Sequence, residues 1–364
     1  MPQGPEGPPP AMPDLPPLPE AQEAGEGLGS RLGPLMTIPD EESGPEFVKS
    51  PRTRSRHKFG VPLGWERYWE ASRDVRVEER DATFHIYTAG TGGPLLLCLH
   101  GGGYTGLTWS LLAPRVKDTC RIVAMDLRGH GLTKTNDDED LSAETLCADV
   151  IALWKALCKE ESHFSTVLLG HSLGGAMAIR TGATGKITGL QGLIVIDVVE
   201  GTALASLPHM MSVLHKRPKE FDSLREAVDW ALCSHMSRSE EAASVSVPSM
   251  LQQGPEGGSW HWRTPLWESE AHWRGWFTGL SELFLAVKAP KLLALVGTDR
   301  LDRELTIGQM QGRFQMAVLP SSGHAVQEDN SEKVAEIVQK FVERFRIGRQ
   351  LPASVWVPGR GGPG

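Results

Sequence analysis

Thr166-Val-Leu-Leu-Gly-His-Ser-Leu-Gly-Gly-Ala-Met-Ala-Ile-Arg180 reads in three pieces. Thr166–Gly170 is a short apolar run with the character of a buried strand, and Gly174–Arg180 has helical composition. Between them stands Gly170-His-Ser172-Leu-Gly174, a Gly-x-Ser-x-Gly sequence. Alone it says little, because glycine is 40 of 364 residues. With a strand before it and a helix after it, the pattern describes a sharp turn that lifts a serine hydroxyl clear of the backbone. The flanking glycines relieve crowding in such a turn, and the following helix offers its positive end to the hydroxyl. Ser172 is therefore the candidate nucleophile. The competing reading is a bystander serine in a glycine-rich turn.

Outward from this segment, short apolar runs alternate with helical patterns, which points to a mostly parallel sheet with crossover helices. The strand candidates are Phe84–Ala89, Pro94–Leu99, Arg121–Leu127, Thr166–Gly170, Leu193–Val198, Lys291–Gly297 and Phe314–Leu319. Several are unbroken Leu/Ile/Val runs, as expected where both faces of a sheet are covered. Leu141–Lys159 has helical periodicity behind an N-cap at Ser142, and Ser331–Arg346 reads as a closing helix with a stripe running from Val334 to Phe345. Together these predict the α/β-hydrolase fold. The stretch between Leu193–Val198 and Lys291–Gly297 is far too long for a tight connection. Those runs would be strands 6 and 7 of the fold, and the intervening Val199–Pro290 is expected to be a helical cap. Its tryptophans, Trp230, Trp260, Trp262, Trp267, Trp273 and Trp276, either line a pocket or pack the cap onto the sheet.

Three further elements complete the chemistry this fold supports. His100-Gly-Gly-Gly103 follows the third strand, where a backbone amide contributes to an oxyanion hole. One donor is assigned to Gly102 or Gly103 and the other to Leu173, with His100 fixing the loop. Asp126-Leu-Arg-Gly-His-Gly131 is read as scaffold. The base comes last in chain order, and His324 in Ser322-Gly-His-Ala325 is the final histidine. The acid that orients it has two candidates, Asp299 after Lys291–Gly297 and Asp197 at the end of Leu193–Val198; position alone favours Asp299.

Net charge of −8 and a pI near 5.9 argue against a nucleic-acid binder. Five cysteines without a Cys-x-x-Cys pair suggest free thiols rather than a disulfide or zinc framework. No apolar run approaches the ~20 residues of a membrane span, and the N-terminus has no signal-peptide pattern. A cytoplasmic protein is expected, with no metal or cofactor. Residues 1–58 are rich in Pro, Gly and Glu and are read as disordered, ahead of a hydrolase domain over 59–347, a cap over about 199–290, and a tail over 348–364. The basic run Lys49–Lys58 is either a nuclear-import patch or a solvated linker.

Leu99-His-Gly-Gly-Gly103, Cys120–Arg128, Asp140–Thr145, Ile196–Ala203, and above all Asp299-Arg-Leu-Asp302 with Leu305-Thr-Ile-Gly-Gln-Met-Gln-Gly312, resemble the protein phosphatase methylesterases over roughly residues 60–345. The resemblance implies removal of the methyl ester from the C-terminal leucine of the protein phosphatase 2A catalytic subunit, with that subunit and its scaffold subunit as partners. It maps the catalytic set onto Ser172, Asp197 and His324, reversing the positional preference for Asp299. The family's long acidic cap insertion is replaced here by Leu251–Ser259. A general small-molecule carboxylesterase and a phosphatase-sequestering protein are the rival functions. Partner contacts are expected on His272–Phe277 and Asp299–Gly312, where Leu305, Ile307 and Met310 would be exposed unless they pack a helix.

Overall fold

The computed structural model describes residues 60–160, 165–255, 257–297 and 301–348. Residues 1–58 with the basic run, nearly all of the 348–364 tail, and Asp299 lie outside the described residues. The strands are β1 (Ala71–Val77), β2 (Ala82–Ala89), β3 (Leu95–Leu99), β4 (Arg121–Met125), β5 (Lys134–Thr135), β6 (Thr166–His171), β7 (Leu190–Ile196), β8 (Glu220–Phe221), β9 (Leu251–Gln253), β10 (Trp260–Trp262), β11 (Lys291–Leu295) and β12 (Gln315–Val318). The helices are α1 (Ala113–Val116), α2 (Ala143–Glu160), α3 (Leu173–Ala183), α4 (Glu200–His215), α5 (Leu224–Cys233), α6 (Glu240–Ser249), α7 (Glu270–Phe277), α8 (Leu280–Ala286), α9 (Arg303–Met310), α10 (Val326–Asp329) and α11 (Ser331–Arg344).

The main sheet runs β1-β2-β4-β3-β6-β7-β11-β12, with β5 paired to β2. From β4 to β12 every neighbour is parallel, whereas β1, β2 and β4 pair antiparallel. Every residue of β3, β6 and β11 is buried, which explains why β3 is wholly apolar and why polar residues in β6 and β11 stand only at or near their ends. The sequence reading missed β1 because Ser72, Arg73, Asp74 and Arg76 break its apolar pattern and only Val75 and Val77 are buried. Phe345 leaves the expected stripe of α11: it follows the helix and is 38% exposed.

Residues between β7 and β11 form the cap. It holds α4 to α8, as expected of a helical insertion, and also a small antiparallel sheet ordered β8-β10-β9. Its strands are two or three residues long, too short for periodicity to reveal. Trp273 and Trp276 pack into the main core, while Trp230, Trp260 and Trp262 join the cap's own apolar cluster; Trp267 is 41% exposed. Polar ties fasten the cap to the body. Arg180 of α3 donates to the carbonyls of Gly275, Trp276 and Thr278 (2.7, 2.9 and 2.6 Å). Tyr68 donates to Glu241 at 2.8 Å, and Asp302, which immediately precedes α9, accepts from Gly201 and Ser281. Among the described residues no helix is long and apolar enough to cross a membrane. The five cysteines are unpaired: three buried, Cys158 partly so and Cys233 exposed.

The segment after β4 is pinned by a buried ion pair. Arg128 reaches Asp149 of α2 through two bonds (2.7 and 3.0 Å), with both side chains almost wholly buried. Removing one partner strands a charge that solvent cannot reach. Asp149→Ala is expected to lower unfolding free energy by about 3 kcal/mol in urea titrations, whereas Arg80→Ala, which removes the more exposed partner of Asp149, costs under about 1 kcal/mol.

Candidate active site

Ser172 sits between β6 and α3 with φ +51° and ψ −119°, a left-handed conformation unfavourable for a residue with a side chain. The neighbours hold it there. A Cβ on Gly170 would lie 2.2 Å from the Gly174 carbonyl oxygen, and one on Gly174 would lie 2.2 Å from the Leu99 carbonyl oxygen. Only glycine fits at either position. The Ser172 amide donates to Ile196 at 3.0 Å, tying the turn to the end of β7.

Asp197 follows that strand end, also with positive φ (+50°), and its own amide donates to Ala294 at 2.8 Å. Its carboxylate is buried and lies 2.9 Å (Oδ2) from His324 Nδ1. His324 lies after β12 with its ring 43% exposed. Its loop is fixed from below: Gly323 donates to Asp329 at 2.6 Å, and Arg238 donates from its amide to Asp329 and from its side chain to Ser321. Ser172, Asp197 and His324 are thus gathered at the carboxyl edge of the sheet. Among the described residues Ser172 Oγ makes no hydrogen bond. Contacts of this kind are commonly long without substrate.

The glycine loop is wired by neutral histidines. His100 accepts from the Leu127 amide (2.9 Å) and its other nitrogen meets the Gly101 carbonyl (2.8 Å). His130 accepts from the Gly103 amide at 3.0 Å and is oriented by the Arg128 carbonyl. Gly103 therefore has its N–H occupied, and of the paired candidates for oxyanion donor only Gly102 remains open. Gly102 and Leu173, at the first turn of α3, donate to no acceptor among the described residues. His130 came from a segment expected to be mere scaffold; nothing in its sequence context announced this bond.

His171, the variable residue of the serine motif, was also missed. Its Nε2 lies 2.7 Å from the His324 carbonyl oxygen, its Nδ1 lies 3.4 Å from Gln327, and its ring is 4.7 Å from that of His324. Gln327 in turn donates to Thr108, which donates to Glu328 at 2.7 Å. An apolar wall of Tyr104, Met236, Met250, Trp262 and Ala325 flanks this array. A cleft of about 420 Å³ opens beside His130, between Gly129–Lys134 and Arg263–Pro265; Ser172 does not line it.

Burial disfavours the cationic form of these rings, lowering His130 from 6.5 to about 4 and His171 to about 3, with His100 well below its ordinary value. Burial also raises Glu328 from 4.5 to about 7. The result is a hydroxyl on a strained turn, a carboxylate–imidazole pair and two free amides: the parts needed for acyl transfer.

Residues 96–337 match the model of the alpha/beta hydrolase family. The chain is 40% identical over 363 residues to human protein phosphatase methylesterase 1, covering 87% of this chain and 93% of that protein. It is 43% identical over 308 residues to a probable protein phosphatase methylesterase 1 of Caenorhabditis elegans, covering 84% of each. Among solved structures it resembles E-2-(acetamidomethylene)succinate hydrolase (TM-score 0.64, 21% identity, 75% of this chain and 99% of that one). It also resembles an esterase of M. tuberculosis (TM-score 0.58, 22% identity, 76% and 92%).

The shifted groups predict a pH dependence of stability. Below about 6.5 the unfolded chain binds protons that His130 and His171 refuse in the native state, so stability falls as pH drops toward 4 and then 3. Glu328 opposes this: its contribution is complete below 4.5 and is lost as pH rises through about 7. Each group contributes up to about 1.4 kcal/mol per pH unit. Glu328→Gln is therefore expected to steepen the decline between about pH 6.5 and 4.5 by up to that amount, measured by urea titration; an unchanged slope would mean Glu328 is ionised in the native chain.

Proposed function

The chain belongs to the alpha/beta hydrolase family and, within it, to the protein phosphatase methylesterase 1 proteins, and from that premise we propose that Ser172, His324 and Asp197 are the nucleophile, general base and orienting acid of its ester hydrolysis. The enzyme is a carboxylic ester hydrolase acting on a protein phosphatase. The finer reading is that its substrate is the methyl-esterified C-terminal leucine of the protein phosphatase 2A catalytic subunit. The observation that carries the residue assignment is the 2.9 Å pairing of His324 Nδ1 with Asp197, beside a serine held on a strained strand-to-helix turn.

Asp197 accepts a hydrogen bond from the Nδ1–H of His324, so Nε2 is left as the base. Ser172 Oγ attacks the ester carbonyl carbon while its proton passes to His324 Nε2. The carbonyl electrons move onto oxygen, and the amides of Leu173 and Gly102 hold that oxyanion, each worth about 3 kcal/mol at the transition state. Collapse breaks the bond to the methoxy oxygen, which takes the proton from His324 and leaves as methanol. Water, deprotonated by the same imidazole, then cleaves the acyl-enzyme and releases the leucine carboxylate.

Selection of one protein requires contacts away from the reacting carbonyl. Of the surfaces expected for this, His272–Phe277 is divided, with Trp273, Trp276 and Phe277 buried and Arg274 and Gly275 exposed, and Leu305 packs into the core at 3% exposure. Ile307 and Met310 on α9 remain exposed at 44% and 80%, and these we assign to phosphatase docking, with the catalytic and scaffold subunits as partners.

Ser172→Ala is expected to lose more than about 10³-fold in demethylation of methylated phosphatase, and Asp197→Asn about 10³–10⁴-fold in kcat with its fold retained. A larger loss from Asp299→Asn than from Asp197→Asn would transfer the acid role to Asp299. Folded methylated phosphatase is expected to be turned over at least ~10²-fold more efficiently in kcat/KM than its isolated methylated C-terminal peptide, about 2.7 kcal/mol of remote contact. Ile307→Asp with Met310→Asp shrinks that ratio; equal efficiency on peptide and protein would favour a general esterase.

A further inference from the structure

Arg217 stands two residues beyond α4, where the cap meets the glycine loop. Its Nη1 lies 3.7 Å from the position a Cβ on Gly103 would take, and the guanidinium carbon lies 5.5 Å from the centre of the Trp262 ring. Trp262 is itself fixed, its indole N–H donating to the Pro218 carbonyl at 2.8 Å. Tyr104, next to Gly103, stands edge-on to His171 at 5.9 Å. The cation is thereby placed at the rim of the candidate active site, between the glycine loop and the apolar wall.

Two other shielded arginines have acceptors, Arg128 in Asp149 and Arg180 in three carbonyls, whereas Arg263 leaves its Nε buried and unpaired. The Arg217 guanidinium has no hydrogen bond or ion pair with any described residue. Burial lowers its pKa, opposed only by the nearby Tyr104. A guanidinium carries five donors, and the partial burial of Arg217 strips some of their water without supplying protein acceptors, which is unfavourable. Stacking on Trp262 offsets part of that penalty but satisfies none of the donors. A rigid, pre-placed fork of N–H groups matches a carboxylate better than any other peptide group.

We propose that Arg217, seated on Trp262 beside Gly103, is a carboxylate-binding subsite of this esterase that recognises a carboxylate of the peptide carrying the ester. Two sources share this chemistry. One is the C-terminal carboxylate that hydrolysis itself creates, in which case Arg217 governs product retention. The other is an acidic side chain close to the ester, in which case Arg217 selects the substrate. The inference rests on the esterase reading of the Ser172 site.

The test uses the full chain and three leucine-terminated hexapeptides as competitive inhibitors of p-nitrophenyl ester hydrolysis. The first is otherwise neutral with a free C-terminal carboxylate, the second is its carboxamide, and the third is the carboxamide with one aspartate near the terminus. Wild type is expected to bind at least one carboxylate-bearing peptide ~10-fold more tightly than the neutral carboxamide, equivalent to about 1.4 kcal/mol. Arg217→Gln abolishes that preference, and Arg217→Lys retains part of it, because the charge persists without the fork. Preference for the free acid identifies the product carboxylate as the ligand; preference for the aspartate identifies the side chain. Equal inhibition constants for all three peptides on wild type, or an undiminished preference in Arg217→Gln, would overturn the subsite and leave Arg217 a structural partner of Trp262. The wild-type comparison decides even if a variant fails to fold. Failure of the esterase reading looks different: Ser172→Ala would then still hydrolyse the aryl ester.

Discussion

Gly174 meets the Leu99 carbonyl so closely that even a methyl group there would overlap it, and much of the site is arranged around that contact. It brings the first turn of α3 against the end of β3, so the free amide of Leu173 and the glycine loop that follows Leu99 face the same space. The reversal of the chain at Ser172 is the geometric result, and the positive φ there is the strain it stores. The bond from Ser172 to Ile196 then carries the constraint to β7, and hence to Asp197. Three strand ends are locked together by backbone alone, before any side chain performs chemistry.

A second layer of order comes from uncharged imidazole. His100, His130 and His171 each tie two distant chain segments through a ring nitrogen, and all have depressed basicity because they are buried. A neutral imidazole both donates and accepts, so it can join an amide on one side to a carbonyl on the other; an imidazolium could only donate. The burial that fixes the charge state therefore also fixes the hydrogen-bond pattern.

The sheet, the serine turn and the chain order of serine and histidine were legible because each rests on local pattern: buried apolar runs, paired glycines, a last histidine after the last strand. The strand β1 was not, since its outward face is charged, and neither was the cap's small sheet, whose strands are too short to show a period. Side-chain roles that depend on distant partners were hidden for a different reason. His130 and Gly103 lie 27 residues apart, and no spacing rule links them. Leu305, Ile307 and Met310 share one helix, and only the fold separates the buried residue from the exposed ones. The choice between Asp197 and Asp299 turned on family likeness; the described structure pairs His324 with Asp197, while Asp299 lies outside the described residues.

Arg180 donates from α3, the helix that starts at the serine turn, to three carbonyls at the end of α7, and Asp302 fastens the start of α4 to α8 and α9. These ties form when the chain folds, so the conformational entropy of holding the cap over the sheet is already lost before any ligand arrives. Association then owes that loss only for the incoming segment and for the few side chains it touches. In calorimetric terms, the heat-capacity change on binding reports the apolar area covered by the ligand, without a contribution from folding of the cap.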